Sequence, residues 1–386
     1  MTVKTDMQLD HCLSIEQVRR LAERRLPPPL FDSMSDGVGD GITYRHNIDD
    51  FEKVPLVPRA LRNVDVHSTA VRVLGREISF PLILSPTGWQ GILWPDGELA
   101  AARAAARGGI IYGLSCFANA SIEDVASVGE GARLFQLYGL IDDYIMHDLV
   151  DRAAAAGYAA LCVTVDTPVF SPLEKLERWR MTLDRRPPLG TTCHLLRRPA
   201  WLWRQRNMGA KKIPPIVRQF AERGHAFGED GLNRVIRKDF TWDDLARLRQ
   251  RWNGPFVVKG ILNPEDARRA VEAGATAIVV CNHGGLSLDG SASSISMLPA
   301  IIDAVGDKAE ILLGSGIRRG GAMVKALALG ARATLSGRGY LFGLAASGEA
   351  GVDKVIEILR REFTTAMRVA GAADPAQLVR DMVRPC

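Results

Sequence analysis

The sequence has 386 residues, of which 47% are hydrophobic and 24% are charged. This composition is typical of a globular protein with a large buried core, and it excludes a disordered or fibrous chain. The net charge of +5 comes from 49 basic and 44 acidic residues, a balance that gives no indication of nucleic-acid binding. No stretch reaches the roughly 18 apolar residues that span a bilayer.

The cysteines and the first residues bear on the compartment. The 6 cysteines show no Cys-x-x-Cys pair and no regular spacing, so neither a disulfide framework nor a metal site is predicted. The first ten residues lack the apolar segment of a signal peptide. We therefore expect a cytoplasmic protein.

The N-terminal part, residues 1–79, is predicted to be helical. Apolar residues at helical spacing predict a helix from Ser14 to Leu26, with Ser14 as the N-cap and the following prolines as its end. From Phe80 onward, short β-rich runs alternate with alanine-rich helical runs, as in a parallel β/α architecture.

Eight strands are predicted in this second part of the chain, and they give the fold class. They run from Pro81 to Ser85, Ile110 to Ser115, Arg133 to Tyr138, Ala160 to Asp166, Pro255 to Gly260, Ala277 to Asn282, Glu310 to Gly314 and Ala333 to Gly337. The sequence thus predicts an α/β protein with one (β/α)8 TIM-barrel domain over residues 1–386.

The segment 167–252, after the fourth strand, is too long for a simple β/α connection, so it is predicted to be a lid, a membrane contact or a partner site. Within it, Trp201 and Trp203 lie among basic residues, as in interfacial segments. The basic residues are Arg197, Arg198, Arg204, Arg206, Lys211 and Lys212. Residues 193–213 could therefore contact the inner face of a membrane peripherally. A solvated loop is the alternative.

Six of the eight strands end on polar residues, which in a barrel meet at the active-site face. They are Thr87, Ser115, Gln136 with Tyr138, Thr164 with Asp166, Lys259, and Asn282 with His283. A histidine at a strand end is, taken alone, more often structural. Asp166 and Tyr138 offer it an orienting carboxylate and a hydroxyl, which favours a catalytic base. Lys259 is expected to point into the pocket, with a lysine reaching solvent as the alternative.

Two glycine-rich loops follow the last two strands, where barrels commonly bind phosphate. One contains Ser315, Gly316 and Arg318, and the other contains Gly337 and Arg338. Arginine adds charge-assisted hydrogen bonds to a phosphate. Ordinary turns with solvated arginines are the alternative.

At this point the chain resembles the FMN-dependent 2-hydroxy-acid dehydrogenase and oxidase family, which includes glycolate oxidase, L-lactate dehydrogenase and mandelate dehydrogenase. The resemblance runs from about residue 14 to about residue 380. It is carried by Ser85-Pro86-Thr87-Gly88, Phe135-Gln136-Leu137-Tyr138, Thr164-Val165-Asp166-Thr167-Pro168, Val258-Lys259-Gly260, Asn282-His283-Gly284-Gly285, Gly316-Ile317-Arg318-Arg319-Gly320 and Gly337-Arg338.

The resemblance implies FMN as cofactor and assigns roles to residues. His283 matches the base, Asp166 the carboxylate that stabilises its imidazolium, and Tyr138 the hydroxyl that binds the substrate oxygen. Thr87, Ser115, Gln136, Thr164 and Lys259 match groups that hold the isoalloxazine edge, with Gly88 beside the flavin. Ser315, Gly316, Arg318, Gly337 and Arg338 match the ribityl and phosphate site. A homotetramer is also implied.

The sequence departs from the family at the residues that grip a substrate carboxylate. Leu286 stands where the family has an arginine, and Ser33 stands where it has a tyrosine. Gly314 and Cys281 replace an aspartate and a hydroxyl residue, and Phe117 replaces the tryptophan of some relatives. A leucine in place of a bidentate arginine leaves a carboxylate facing hydrocarbon.

We therefore expect an enzyme that passes a hydride to FMN from a carbon bearing a hydroxyl or amine. Its small-molecule substrate is expected to be a biosynthetic or peptide-derived intermediate, and the electron acceptor a quinone, a protein or O2. Three alternatives stay open. One is a conventional 2-hydroxy-acid enzyme in which Arg178 or Arg180 replaces the lost arginine. The others are a non-catalytic flavin-binding barrel and another phosphate-binding barrel enzyme such as an isomerase.

Overall fold

A computed structural model describes residues 9–174, 177, 188–206, 208, 213–225 and 231–384. The predictions placed on Arg178, Arg180, Lys211 and Lys212 lie outside these ranges. All structural statements below refer to the described residues.

Eight parallel strands close into a barrel, which confirms the predicted fold class. A short hairpin, β1 (Val71–Val73) with β2 (Arg76–Ile78), precedes it. The barrel strands are β3 (Leu82–Thr87), β4 (Ile111–Ser115), β5 (Arg133–Tyr138), β6 (Ala160–Thr164), β7 (Phe256–Ile261), β8 (Ala277–Val280), β9 (Glu310–Leu313) and β10 (Ala333–Ser336). They pair in chain order, and β10 pairs with β3 to close the sheet. Their residues are almost all buried because helices cover the outer face and side chains fill the interior.

Helices surround this barrel, precede it and occupy the long segment after β6. They are α1 (Ile15–Arg25), α2 (Pro28–Ser35), α3 (Ile42–Asp49), α4 (Gln90–Leu93), α5 (Gly97–Arg107), α6 (Ile122–Ala126), α7 (Asp143–Ala155), α8 (Leu189–Leu196), α9 (Pro199–Gln205), α10 (Pro215–Glu222), α11 (Trp242–Arg249), α12 (Pro264–Glu272), α13 (Ser294–Val305), α14 (Gly320–Leu329) and α15 (Arg338–Val369), which is kinked at Ser347 and Gly348. Ser14 caps α1, as predicted, by accepting from the backbone of Gln17.

Several predicted strands end earlier than expected, and the difference matters for the site. The strand predicted to reach Asp166 ends at Thr164, which pairs with Lys259. The strand predicted to reach Asn282 ends at Val280. Beyond these strand ends, Asp166 contacts His283 and Asn282 bonds Asn47 and Ala292 O.

The N-terminal segment folds over the mouth of the barrel. The amides of Asn47 and Asn282 exchange hydrogen bonds of 2.8 and 2.9 Å. Val38 N donates to Gly285 O over 2.9 Å. Residues far apart in sequence therefore hold the loop that follows β8 in one position.

The described part of the long segment after β6 consists of short helices, which revises the expectation of a loop. Helix α9 packs on α4, because Trp201 Nε1 donates to Ile92 O and Gln205 Nε2 donates to Gly91 O, both over 3.0 Å. Trp203, on the same helix, is 63% exposed. Among the described helices, none combines the length and apolarity needed to cross a membrane.

Candidate active site

His283 lies between a carboxylate and a phenol. Its Nδ1 is 3.0 Å from Asp166 Oδ1, and its Nε2 is 3.4 Å from the hydroxyl of Tyr138. The Thr167 hydroxyl lies 3.2 Å from both His283 Nδ1 and Asp166 Oδ1. If Nδ1 carries the proton toward Asp166, Nε2 keeps a lone pair for the pocket.

Unusual backbone conformations allow this cluster to form. His283 has a φ of 56°, in the left-handed region where a non-glycine residue is strained, and Gly284 and Gly285 follow it with positive φ. Gly260 also has a positive φ, and a Cβ there would lie 2.5 Å from Asp166 Cγ. Glycine at this position therefore makes room for the carboxylate beside the histidine.

The charges around His283 favour its neutral form. Burial and the nearby Lys259 ammonium lower the pKa of His283 below 6.5, although Asp166 acts in the opposite direction. Burial would raise the pKa of Asp166, but His283 and Lys259 outweigh it and lower that pKa. Burial also raises the pKa of Tyr138 well above its usual value, so its phenol stays protonated.

Two half-buried arginines, Arg318 and Arg338, line the same pocket. Arg338 donates to the carbonyl oxygens of Met34, Asp36 and Gly284. Arg318 donates to Ile317 O and interacts with Tyr44. Burial and the charge of Arg318 lower the pKa of Arg338 to about 10. Two positive charges crowded together in a buried site favour the binding of an anion.

The pocket is a cavity of about 360 Å³. Fourteen of the residues predicted for the site line it: Ser33, Thr87, Gly88, Ser115, Phe117, Tyr138, Lys259, His283, Leu286, Ser315, Gly316, Arg318, Gly337 and Arg338. Asp166, Gln136 and Thr164 stand behind this lining. Gln136 Nε2 donates to Thr164 Oγ1 over 3.0 Å, so that pair supports the wall.

One wall of the cavity is apolar, and most of its residues were missed in the sequence. Leu30, Met34, Ile92, Leu93, Phe170 and Leu232 line it together with Phe117 and Leu286. The hydroxyl of Ser33 turns away and donates to Leu30 O over 2.8 Å. These residues lie in helices and in the segment after β6, where apolar spacing signals packing and does not distinguish a pocket wall.

Comparisons with known proteins place this chain in a family. A family model described as FMN-dependent dehydrogenase matches residues 22–385. The chain belongs to this family. Its resemblance to flavin-dependent hydroxy-acid enzymes is thereby confirmed.

The relatives of this FMN-dependent dehydrogenase are named for different activities. Pre-mycofactocin synthase from Mycolicibacterium smegmatis is 40% identical over 367 residues, which cover 93% of this chain and 90% of that protein. L-lactate oxidase from Nostoc sp. is 41% identical over 369 residues, which cover 94% and 95%. The crystal structure of the monotopic membrane protein (S)-mandelate dehydrogenase superposes with a TM-score of 0.90 at 33% identity, over 97% of this chain and all (100%) of that one.

The residues present fit FMN. The two arginines offer positive charge for a phosphate, and Gly316 and Gly337 line the same cavity. Lys259, 6% exposed, adds a buried cation to the lining of the cavity. Three donor groups of Arg338 are already used on carbonyl oxygens, so this arginine also holds the N-terminal segment, a contact that the sequence did not predict.

Proposed function

We propose that this enzyme oxidises a carbon bearing a hydroxyl or an amine, with His283 as the base, in a substrate other than a simple small 2-hydroxy acid. The observation that carries the proposal is the pairing of a histidine, carboxylate and phenol with an apolar wall at Leu286 and Ser33. The histidine, carboxylate and phenol supply the acid–base groups that must accompany hydride transfer. The apolar wall offers no positive charge to a substrate carboxylate.

The protein groups divide the work as follows. Bound FMN supplies the hydride acceptor. Tyr138 donates its phenolic hydrogen to the substrate's oxygen or nitrogen and so orients the reacting carbon. His283 Nε2 takes the proton, and Asp166 stabilises the imidazolium through Nδ1. Lys259 adds positive charge that stabilises negative charge developing in the pocket.

The cofactor roles are part of the same proposal. Thr87, Gly88, Ser115 and Lys259 would line the isoalloxazine, with Gln136 and Thr164 bracing that wall. Ser315, Gly316, Arg318, Gly337 and Arg338 would hold the ribityl phosphate. Arg178 and Arg180 have no role in this arrangement.

The substrate's non-reacting part should be uncharged and largely apolar. Leu30, Met34, Ile92, Phe117 and Phe170 would contact it, and burial of such groups stabilises the complex. The relative named pre-mycofactocin synthase supports a biosynthetic substrate, since its name describes the making of a product. We infer a biosynthetic or peptide-derived intermediate.

Matched acids and amides test the substrate class. Mandelate and mandelamide, or lactate and lactamide, differ mainly in the charge next to the reacting carbon. We expect the amides to bleach the bound flavin faster under anaerobic conditions, followed by its visible absorption. Efficient steady-state turnover of lactate, glycolate or mandelate would overturn the proposal. If no reductant of either kind bleached the flavin, a non-catalytic barrel would be favoured.

A conventional 2-hydroxy-acid activity is the second candidate, because L-lactate oxidase is 41% identical to this chain. It requires a cation that replaces the missing arginine. Arg178 and Arg180, outside the described residues, are the candidates. Loss of hydroxy-acid turnover in Arg178→Ala or Arg180→Ala would support it.

Peripheral membrane contact through residues 193–213 is also proposed. Trp203 and Leu196 are 63% and 61% exposed beside basic side chains, which suits an anionic surface. A membrane position would fit a quinone as electron acceptor, with a protein or O2 as alternatives. Sedimentation with anionic liposomes tests it, and equal partitioning after deletion of 193–213 would argue against it. A homotetramer stays a prediction for light scattering.

A further inference from the structure

A buried polar cluster lies directly behind Thr87 and outside the residues assigned so far. It consists of Gln90 on α4, Glu98 on α5, Tyr112 on β4 and Tyr340 on α15, each no more than 1% exposed. Buried polar groups are costly unless they are paired, so such a cluster beside the cofactor pocket calls for a function.

The amide of Gln90 is the centre of the cluster. Its Nε2 lies 3.0 Å from Thr87 O, 3.2 Å from Thr87 Oγ1, 3.0 Å from the Tyr112 hydroxyl and 3.1 Å from the Tyr340 hydroxyl. A carbonyl oxygen only accepts, so the contact with Thr87 O fixes which end of the amide faces Thr87. Glu98 Oε1 in turn accepts from the backbone N–H of Gln90 over 3.1 Å.

The hydrogen count then defines the orientation of the Thr87 hydroxyl. Tyr340 donates its only hydroxyl hydrogen to Ser85 O over 3.0 Å. In the contact between Thr87 Oγ1 and the Tyr340 hydroxyl, Thr87 must therefore be the donor. The hydrogen of Thr87 is thus directed away from the cavity that Thr87 lines. One lone pair accepts from Gln90, which leaves one lone pair for that cavity.

We infer that Gln90 is a positioning residue that Glu98 holds in place. Together with Tyr340, Gln90 fixes the Thr87 hydroxyl as a hydrogen-bond acceptor toward bound FMN. The inference rests on the proposed function in one respect, that Thr87 faces the flavin. A hydroxyl fixed as acceptor favours an N–H group of its ligand. Reduced isoalloxazine carries more N–H groups than the oxidised ring, so this orientation favours the reduced cofactor.

Two glutamine variants separate positioning from mere support. Gln90→Met removes the amide at nearly constant volume. Gln205→Met makes the same change at a buried glutamine that bonds the carbonyls of Gly91 and Ile92, on the same helix, but has no bond to Thr87. Both should lose comparable stability in thermal unfolding. Only Gln90→Met should weaken the binding of reduced FMN relative to that of oxidised FMN. The expected factor is roughly three- to tenfold, which corresponds to the loss of one neutral hydrogen bond.

The midpoint potential of bound FMN, measured against redox dyes without any substrate, gives that ratio. Thr87→Val should lower the potential by the same amount, Thr87→Ser should preserve it, and Gln90→Met should add nothing in the Thr87→Val background. Equal shifts in Gln90→Met and Gln205→Met would overturn the inference, as would an unchanged potential in Thr87→Val. Because no substrate is present, an error in the proposed substrate class leaves this result unaffected.

Discussion

Asp166 and His283 are 117 residues apart in sequence, yet Asp166 Oδ1 lies 3.0 Å from His283 Nδ1. The other carboxylate oxygen, Oδ2, is buried and has no hydrogen-bond partner within the described chain. The carboxylate is therefore directed mainly at the histidine. A buried acceptor of this kind stabilises positive charge on the ring when a proton arrives.

Substitution of Asp166 by asparagine should lower the rate of flavin reduction by about 10²- to 10⁴-fold, which is the usual range for acid–base assistance. An amide matches the shape of the carboxylate but does not stabilise an imidazolium. Rapid-mixing measurement of flavin reduction with the best amide substrate checks this. Thr167→Val, which removes the hydroxyl at 3.2 Å but keeps the carboxylate, is the control and should lose much less. Equal losses in the two variants would contradict the role given to Asp166.

The pH profile follows from the lowered pKa of His283. Burial and Lys259 keep that pKa below 6.5. The proposed base is the neutral ring. Activity should therefore fall as pH decreases through the lowered pKa and stay level above about pH 6.5. In Asp166→Asn, loss of the charge that raises this pKa should shift the acid limb to still lower pH. A plot of the logarithm of kcat/KM against pH, between about pH 5 and 8, measures this shift. A shift of the acid limb to higher pH in Asp166→Asn would contradict the assignment of His283 as the base.

The two pocket arginines should have separable effects. Arg318→Met should weaken FMN binding by roughly 10- to 150-fold, the loss of a charge-assisted hydrogen bond. Arg338→Met should also raise the substrate KM and expose the N-terminal segment to proteolysis, because it breaks the contacts with Met34 and Asp36.

Arg319→Met is the matched control for both. The side chain of Arg319 is 61% exposed and pairs with Glu362. The affinity of Arg319→Met for FMN, measured by fluorescence titration, should therefore equal that of the unsubstituted protein. If Arg318→Met bound FMN equally well, the phosphate site would lie elsewhere.

Replacement of Leu286 and Ser33 by the arginine and tyrosine of the family should restore a preference for substrates with a carboxylate. The double variant Leu286→Arg with Ser33→Tyr should raise the ratio of mandelate to mandelamide turnover by about tenfold or more, since one charge-assisted contact contributes about 1.5 to 3 kcal/mol. Leu288→Arg places the same charge on the same loop at a residue that is 67% exposed, and it should leave the ratio unchanged. A ratio that rose equally in both variants would indicate a general effect of charge.

Much of the architecture and many site residues could be predicted from local patterns. Alternating β-rich and alanine-rich runs predicted all eight barrel strands, because each β/α unit repeats the same burial. Polar residues at the strand ends predicted part of the lining of the cavity, since parallel strands end on one face. The positions of strand ends were less predictable, as Asp166 and Asn282 show, because their partners His283 and Asn47 come from distant parts of the chain.

The sequence by itself determined the barrel, the family and the chemical identity of the residues at its mouth. Local periodicity and short motifs are sufficient for these because they depend on neighbours in the chain. Only the tertiary structure decided that Arg338 holds Met34, 304 residues away, and that Thr87 meets Tyr340, 253 residues away. The second contact joins the first and last units of the closed barrel, and the first joins the last unit to the N-terminal segment. No local pattern records which side chains will then meet.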